Sequence, residues 1–311
     1  MSARRAVFTS ITGGYETLNE TPVEVDTGVD FLCFTDDPGV VSDRWTVIVV
    51  PRWFPSDPMR SQRVTKIVGH PALDSYDETL YIDNTVRLKV DPGVILDEWL
   101  EHHDLAIPLH SFRSSVLAEF EAVRGVRLDT SERLDEQLDH YSRDYPDVLK
   151  QPPHWNGMIA RRSTGAVRHA MEIWLTHVLR YARRDQLSLN VALAVAGLPH
   201  ESVVLDNRAS AIHDWPIDVG RTSGPAFVWP DRAAELSAQL DEEIVRFAAL
   251  EKQVSSHHAV DQQHVADLSA QLALLQHEIA ELRSSTSWRA TAPLRAVMSA
   301  RRRLTREHPK G

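Results

Sequence analysis

Short unbroken apolar runs recur through the first 230 residues of this chain, each closed by a turn signal. Ala6 to Ile11 ends at Gly13-Gly14, and Phe31 to Phe34 closes on Thr35-Asp36-Asp37-Pro38-Gly39. Trp45 to Val50 stops at Pro51, Thr79 to Ile82 ends at Asp83, and Leu105 to Leu109 is the fifth run. Runs of this length suit buried, largely parallel strands. Between and after them, apolar residues at three- and four-residue spacing predict helices over Met59 to Val68, Pro92 to His102, Ser114 to Val123, Ser131 to Tyr145, Val167 to Tyr181 and Gln186 to Ala196. Alternating strands and helices imply an α/β fold with a mostly parallel sheet. Ligands of such sheets bind beyond the C-terminal strand ends. That rule brings Thr12 to Tyr15, Thr35 to Asp37 and Asp83 to Thr85 to one rim.

The pattern changes at Pro230-Asp231. From there to Arg283 there is neither Gly nor Pro, and one heptad register fits throughout. Its a positions are Ser237, Ile244, Glu251, His258, Val265, Leu272 and Ile279, and its d positions are Leu240, Phe247, Val254, Asp261, Leu268, Leu275 and Leu282. The last three heptads are apolar and the middle is interrupted, which reads as a coiled coil, the alternative being a long helix laid on its own domain. The chain therefore divides into residues 1–230, 231–283 and 284–311.

Charge sharpens this division. The whole chain carries −10, which excludes a nucleic-acid binder by bulk charge. From Ser284 onward there are seven basic residues and one acid, so the tail is +6 and the remainder −16. A basic tail on an acidic body points to a surface contact made by the tail alone. The single cysteine, Cys33, excludes a disulfide framework and sits in an apolar run as a core residue. The Arg4-Arg5 pair has no long apolar stretch behind it, so no secretory leader is expected, and no apolar run is long enough to span a membrane.

Candidate chemistry concentrates at a few points. In Tyr81-Ile82-Asp83-Asn84-Thr85 an apolar strand delivers a carboxylate to the sheet rim. A diphosphate–sugar donor is usually held through a divalent cation that favours carboxylate oxygens, although an Asp at a strand end is also an ordinary turn residue. Asp185, in Arg184-Asp185-Gln186-Leu187-Ser188, either caps the following helix or faces a cleft and accepts a hydrogen bond from an acceptor hydroxyl. Arg60, Arg63 and Lys66 share much of one helix face, as diphosphate contacts or as a solvated basic face. His110, Arg113 and Glu119 form a polar cluster after a buried strand, and His213 is a further histidine with a structural or a ligand role.

These segments, with Thr12-Gly13-Gly14-Tyr15, Phe34-Thr35-Asp36 and Trp174, resemble in order a glycosyltransferase-like domain of plants and bacteria long catalogued as a domain of unknown function. Its plant members are tied to cell-wall and mucilage polysaccharides. The resemblance spans roughly residues 5–215 and implies a GT-A-like (Rossmann-like) fold using a nucleotide-sugar donor with Mn²⁺ or Mg²⁺. It places Thr9, Thr12, Gly13, Tyr15, Thr35, Asp36, Arg60, Arg63 and Lys66 around the donor nucleotide, Asp83 on the metal or diphosphate, His213 on the metal and Asp185 near the reacting sugar, with Asp83 and Asp185 as the catalytic residues. His110, Arg113, Glu119, Asn156, Gly157, Arg184 and Gln186 would contact substrate. The usual Asp-X-Asp is here Asp83-Asn84-Thr85, with one carboxylate and an amide, a weaker cation site. Ser284 to Arg295 is similar to a segment that ends many bacterial glycan-assembly proteins.

The sequence thus predicts a hexosyltransferase acting on a cell-surface glycan or polysaccharide precursor, the alternative being a non-catalytic scaffold that organises glycan-assembly enzymes. The coiled coil would pair with a second copy or with another assembly protein. The location expected is cytoplasmic, with the tail either touching the inner face of the plasma membrane or serving as a solvated end.

Overall fold

The computed structural model describes residues 3–25, 27–126, 128–221 and 232–306, and the chain falls into two units, Met1–Glu235 and Leu236–Gly311. The first unit is built on a seven-stranded sheet. Its strands are β1 (Arg5–Ile11), β2 (Asp30–Thr35), β3 (Thr46–Val49), β4 (Glu78–Ile82), β6 (Leu105–Pro108), β7 (Met158–Arg162) and β8 (Glu201–Val203), in the order β3-β2-β1-β4-β7-β6-β8. Every neighbouring pair is parallel except the two made by β7. A separate antiparallel ribbon pairs β5 (Arg87–Leu88) with β9 (His213–Asp214). The helices of this unit are α1 (Pro58–Val68), α2 (Pro92–Trp99), α3 (Val116–Gly125), α4 (Ser131–Asp144), α5 (Gly165–Arg180) and α6 (Leu189–Ala196).

Alternation along the strands explains the layering. Ala6, Phe8, Leu32, Phe34, Tyr81 and Ile159 face one way, into a core completed by α1, α5 and α6 through Ile67, Trp174 and Leu193. Val7, Phe31, Cys33, Leu80, Met158 and Ala160 face the other way, onto Ile95, Leu96 and Trp99 of α2. A third cluster joins α3 and α4 to Leu187 and Val191. The five predicted strands and the mostly parallel sheet are present, and all six predicted helical stretches contain helix. Two of those stretches are trimmed: α2 stops at Trp99, and Gln186 to Ala196 divides into a 3-10 turn over Asp185–Leu187 and α6.

Four strands were not foreseen: β5, β7, β8 and β9. Three of them have only two or three residues, too few for a period to show. β7 ends in Arg161-Arg162, which reads as surface, yet Arg161 is buried. Its guanidinium lies 5.1 Å over the Phe8 ring and donates to the carbonyls of Lys66 and Ile67 at the end of α1. A guanidinium there satisfies carbonyls that have no intrahelical partner.

Behind the sheet edge, His154 is buried between Asn190 (3.1 Å from Nδ1) and Ser202 (3.2 Å from Nε2). Burial, with some help from His200 and against the Asn190 hydrogen bond, lowers its pKa from 6.5 to about 4. The unfolded chain then binds the proton first, so this group removes stability as pH falls from about 6.5 towards 4, by roughly 3 kcal/mol at most. The urea midpoint is expected to fall over that range, and to fall less in His154→Gln. Identical pH slopes in the two proteins would refute the assignment.

In the second unit most of α7 (Arg232–Ser284) forms one uninterrupted helix, followed by α8 (Thr286–Ala290) and α9 (Ala292–Arg306). The heptad residues Leu240, Ile244, Phe247, Leu272 and Ile279 are exposed along α7. Among the described residues no helix is long and apolar enough to cross a membrane. The expected boundary at Pro230-Asp231 and the tail residues Glu307 and Lys310 lie outside the described residues.

Candidate active site

Because β1, β2 and β4 run parallel, their C-terminal ends share one edge of the sheet. β7 runs the opposite way, so its N-terminal end arrives at that same edge, where the Asp83 N–H donates to the Gly157 carbonyl (2.8 Å). A cavity of about 920 Å³ opens there. It lies between the ends of β1, β4 and β7, the face of α1, α3, and the turn that carries Arg184-Asp185-Gln186.

At its base is a chain of buried polar groups. Gln62 on α1 donates to the Ser10 carbonyl (3.2 Å) and to the Tyr81 hydroxyl (2.9 Å). Tyr81 donates in turn to Asp83 Oδ1 (2.7 Å). Two residues apart on an extended strand end, Tyr81 and Asp83 project to the same side. Lys66 Nζ stands 3.3 Å from that same Asp83 oxygen and 2.9 Å from Asp185 Oδ2, and Arg63 Nε is 3.2 Å from Asp185 Oδ2. Burial alone would raise the Asp185 pKa, but Arg63, Lys66 and Arg184 outweigh it and hold the carboxyl well below the usual range. The Trp174 indole N–H fixes the turn by donating to the Asp185 carbonyl (2.9 Å).

The upper wall carries His110, Arg113 and Glu119, the last two paired at 3.0 Å. Burial together with Arg113 and Arg184 lowers the His110 pKa to about 4, so its ring is neutral at neutral pH. Burial raises that of Glu119 against the pull of Arg184 and Arg113. The amide of Asn156 is 2% exposed and lines the cavity, with neither its nitrogen nor its oxygen hydrogen-bonded. A buried amide without partners is costly unless something else satisfies it. Next to it, a Cβ on Gly157 would come within 2.3 Å of the Trp155 ring, so only glycine fits.

The structure therefore brings Tyr15, Arg63, Lys66, Asp83, His110, Arg113, Glu119, Asn156, Gly157, Arg184, Asp185 and Gln186 to one cavity, from positions 15 to 186 of the sequence. The other expected site residues do not line it. Thr9 is buried within β1, and Thr12 donates to the Pro58 carbonyl (2.7 Å). Gly13 N–H donates to Asp36, which pairs with Arg52, and Thr35 Oγ1 accepts the N–H of Asp37. Arg60 is turned away, donating to Asp57 and to the carbonyls of Val178 and Tyr181. Each three-residue step rotates a helix by about 60°, so Arg60 lies about 120° from Lys66.

One alternative is closed and one expectation needs correction. Asp185 makes no cap hydrogen bond to the turn or to α6, since its carboxylate is committed to Lys66 and Arg63. His213 is fully buried, with Nδ1 on the Ser210 hydroxyl (2.8 Å), Nε2 on the Asn207 carbonyl (2.9 Å) and its ring stacked on Trp155. With both nitrogens engaged it has no lone pair for a metal.

The remaining donors fit a divalent cation poorly. Asn84 accepts from the Asn19 N–H and donates to the Thr17 carbonyl, and Thr85 Oγ1 accepts from the Trp215 indole. Among the described residues no three His, Cys, Asp or Glu side chains converge to hold a metal.

Several lining residues had no sequence signal of their own. Glu16 and Arg221 form an ion pair (2.9 Å) whose guanidinium sits over Tyr15, and Trp215 closes one side. Arg221 and Trp215 reach the rim because the segment after β9 is tied to it by Ile217 N–H to the Thr85 carbonyl and Thr17 N–H to the Val219 carbonyl. Gln62 and Tyr81 could have been found from their spacing to Arg63 and Asp83.

A probable hexosyltransferase of Arabidopsis thaliana, MUCI70, is 28% identical over 155 residues, 47% of this chain and 27% of that protein. The chain thus spans about a quarter of that relative's length. The crystal structure of core-mannan synthase A (CmsA/Ktr4) from Aspergillus fumigatus, in its Mn/GDP form, aligns with a TM-score of 0.40 and 10% identity, covering 72% of this chain and 78% of that one. Residues 34–197, more than half of the chain, match the TOD1/MUCI70, glycosyltransferase-like domain. The protein belongs to the TOD1/MUCI70 glycosyltransferase-like family.

Proposed function

We propose that the first unit transfers a hexose from a nucleotide sugar to a glycan acceptor. The observation that carries this reading is the cavity itself, where the cations Arg63, Lys66 and Arg184 stand with the carboxylate of Asp83 and the unpartnered amide of Asn156. Guanidinium and ammonium groups are the side chains suited to a diphosphate. A free amide, one donor group and one acceptor, suits neighbouring sugar hydroxyls. The Arabidopsis relative, a probable hexosyltransferase, supports the choice of sugar class. In the transfer the bond from the anomeric carbon to the diphosphate oxygen breaks and its electron pair stays with the diphosphate. A bond forms to the acceptor oxygen, which gives up its proton.

The test is a thermal shift of the whole chain against a panel of nucleotide sugars. A donor present at about 100 times its Kd adds near 2.7 kcal/mol of stability. No shift with any member of the panel favours the scaffold reading, which draws its support from the single carboxylate of Asp83-Asn84-Thr85.

We propose further that residues 231–283 pair with a second copy of the chain, a role supported by the exposed heptad residues of α7. Light scattering is expected to report a dimer, and a monomer would refute the pairing. The basic tail, with Leu294, Val297 and Met298 exposed on α9, suits an anionic leaflet on the cytoplasmic side. Co-sedimentation with anionic liposomes, with and without residues 284–311, tests this, and equal pelleting of the two would refute it.

A further inference from the structure

We propose that the ammonium of Lys66 is the resident cation of this site, so that a nucleoside diphosphate binds without a divalent metal. The inference rests on the donor reading above and concerns how that donor is held.

Lys66 Nζ lies between the two carboxylates that face the base of the cavity, 2.9 Å from Asp185 Oδ2 and 3.3 Å from Asp83 Oδ1. A metal ion bridging two such carboxylates would take up that same position. The residue is 2% exposed, and its Nζ also sits 4.8 Å from the centroid of the Tyr81 ring. Both the pairing and the ring favour a cation there. One helical turn earlier, Arg63 makes a second contact to the same Asp185 oxygen. Asp185 is thus already matched by two fixed cations, with little to offer a third.

Beside Asp83 the amide oxygen of Asn156 is unpartnered but neutral, and the other groups expected around a metal are taken. Asn84 and Thr85 are engaged with Asn19, Thr17 and Trp215, and His213 with Ser210 and Asn207. A divalent ion of this kind seeks several oxygen or nitrogen ligands and would find one carboxylate, already hydrogen-bonded on one oxygen, and the neutral amide oxygen of Asn156. The lining side chains also have charge to spare: Arg63, Lys66, Arg113, Arg184 and Arg221 face Glu16, Asp83, Glu119 and Asp185. A dianionic or trianionic ligand entering this cavity meets a surplus cation without importing one. An ammonium fixed in a site sheltered from water interacts with phosphate charge far more strongly than a mobile one does in solvent, and needs no reorganisation. Asp83 and Asp185 then position the ammonium rather than ligate a metal.

The experiment is calorimetric titration of the full chain with UDP and with GDP, in EDTA and in excess Mn²⁺. One of the two is expected to bind in EDTA, with Kd changing by less than about threefold when Mn²⁺ is supplied. Binding that appears only with Mn²⁺ would overturn the inference while leaving the donor reading in place. No binding in any condition would remove both. Lys66→Gln is expected to weaken binding in EDTA by about tenfold or more and to recover part of the loss with Mn²⁺, since Asp83 is then released and Asp185 keeps only Arg63. Lys66→Arg, which keeps the charge, is expected to stay indifferent to metal. Unchanged binding by a folded Lys66→Gln, with melting followed alongside, would also overturn the assignment.

Discussion

Replacing Asp185 by alanine is expected to destabilise the first unit by about 3–5 kcal/mol, the scale for removing one partner of a buried ion pair. Asp185 is 2% exposed, and its carboxylate answers Lys66 and Arg63, with Lys66 equally buried. Without it those cations stay in place with Asp83 as their nearest compensation. Had Asp185 been a helix cap, the cost would be near 1 kcal/mol, and no such cap bond exists. Its folded pKa is depressed, so its stabilising effect is present above the ordinary carboxylate range and disappears only as pH falls towards the depressed value. Transfer is expected to fall as well, because Lys66 and Arg63 lose the group that aims them. Urea unfolding at neutral pH measures the first effect, and product formation the second. A loss near 1 kcal/mol with normal turnover would show that the side chain merely shapes a turn.

Asp83→Asn is expected to separate the two effects, leaving the fold nearly intact and removing function. The Asp83 side chain is 31% exposed, and its links to Lys66 and Tyr81 lie at the cavity floor rather than in the core. A pair this accessible contributes about 1 kcal/mol or less to stability. Asparagine keeps the shape and abolishes the charge that, with Asp185, centres Lys66. Turnover is expected to drop by about 100-fold or more, the scale for one well-placed polar group acting on developing charge. Turnover and melting temperature measured on the same preparation separate the two effects. A variant with wild-type turnover would take Asp83 out of the chemistry.

Much of this site was legible in the sequence because its frame is made of strongly patterned elements closed by clear turn signals. Unbroken apolar runs marked the strands, and a carboxylate at the end of one run marked the rim. Basic residues one turn apart marked the face of α1 that holds Arg63 and Lys66. What was not legible depends on pairing rather than on period. The reversal of β7 sets Asn156 and Gly157 beside Asp83, and no local feature of Met158 to Arg162 reveals its direction. Arg60 had the composition of a site residue, and helix rotation turned it onto the end of α5. His213 was placed on the metal by the family resemblance alone, and the hydroxyl and carbonyl that occupy its nitrogens leave no trace in the sequence.

One wall of the cavity is closed to gradual redesign and the other is open. Trp155 is wedged between the ring of His213 and Trp215, both with centroids 5.3 Å away, and the space where Gly157 would bear a Cβ. A change at any of these positions moves the others, so the shape of that wall is inherited as a block. Across the cavity, Gly125 at the end of α3 also lines the space, and a Cβ there meets nothing within 4 Å. Side chains of increasing size can be added at Gly125 one atom at a time. A laboratory evolution of sugar preference in this scaffold should therefore accumulate its changes on the α3 side.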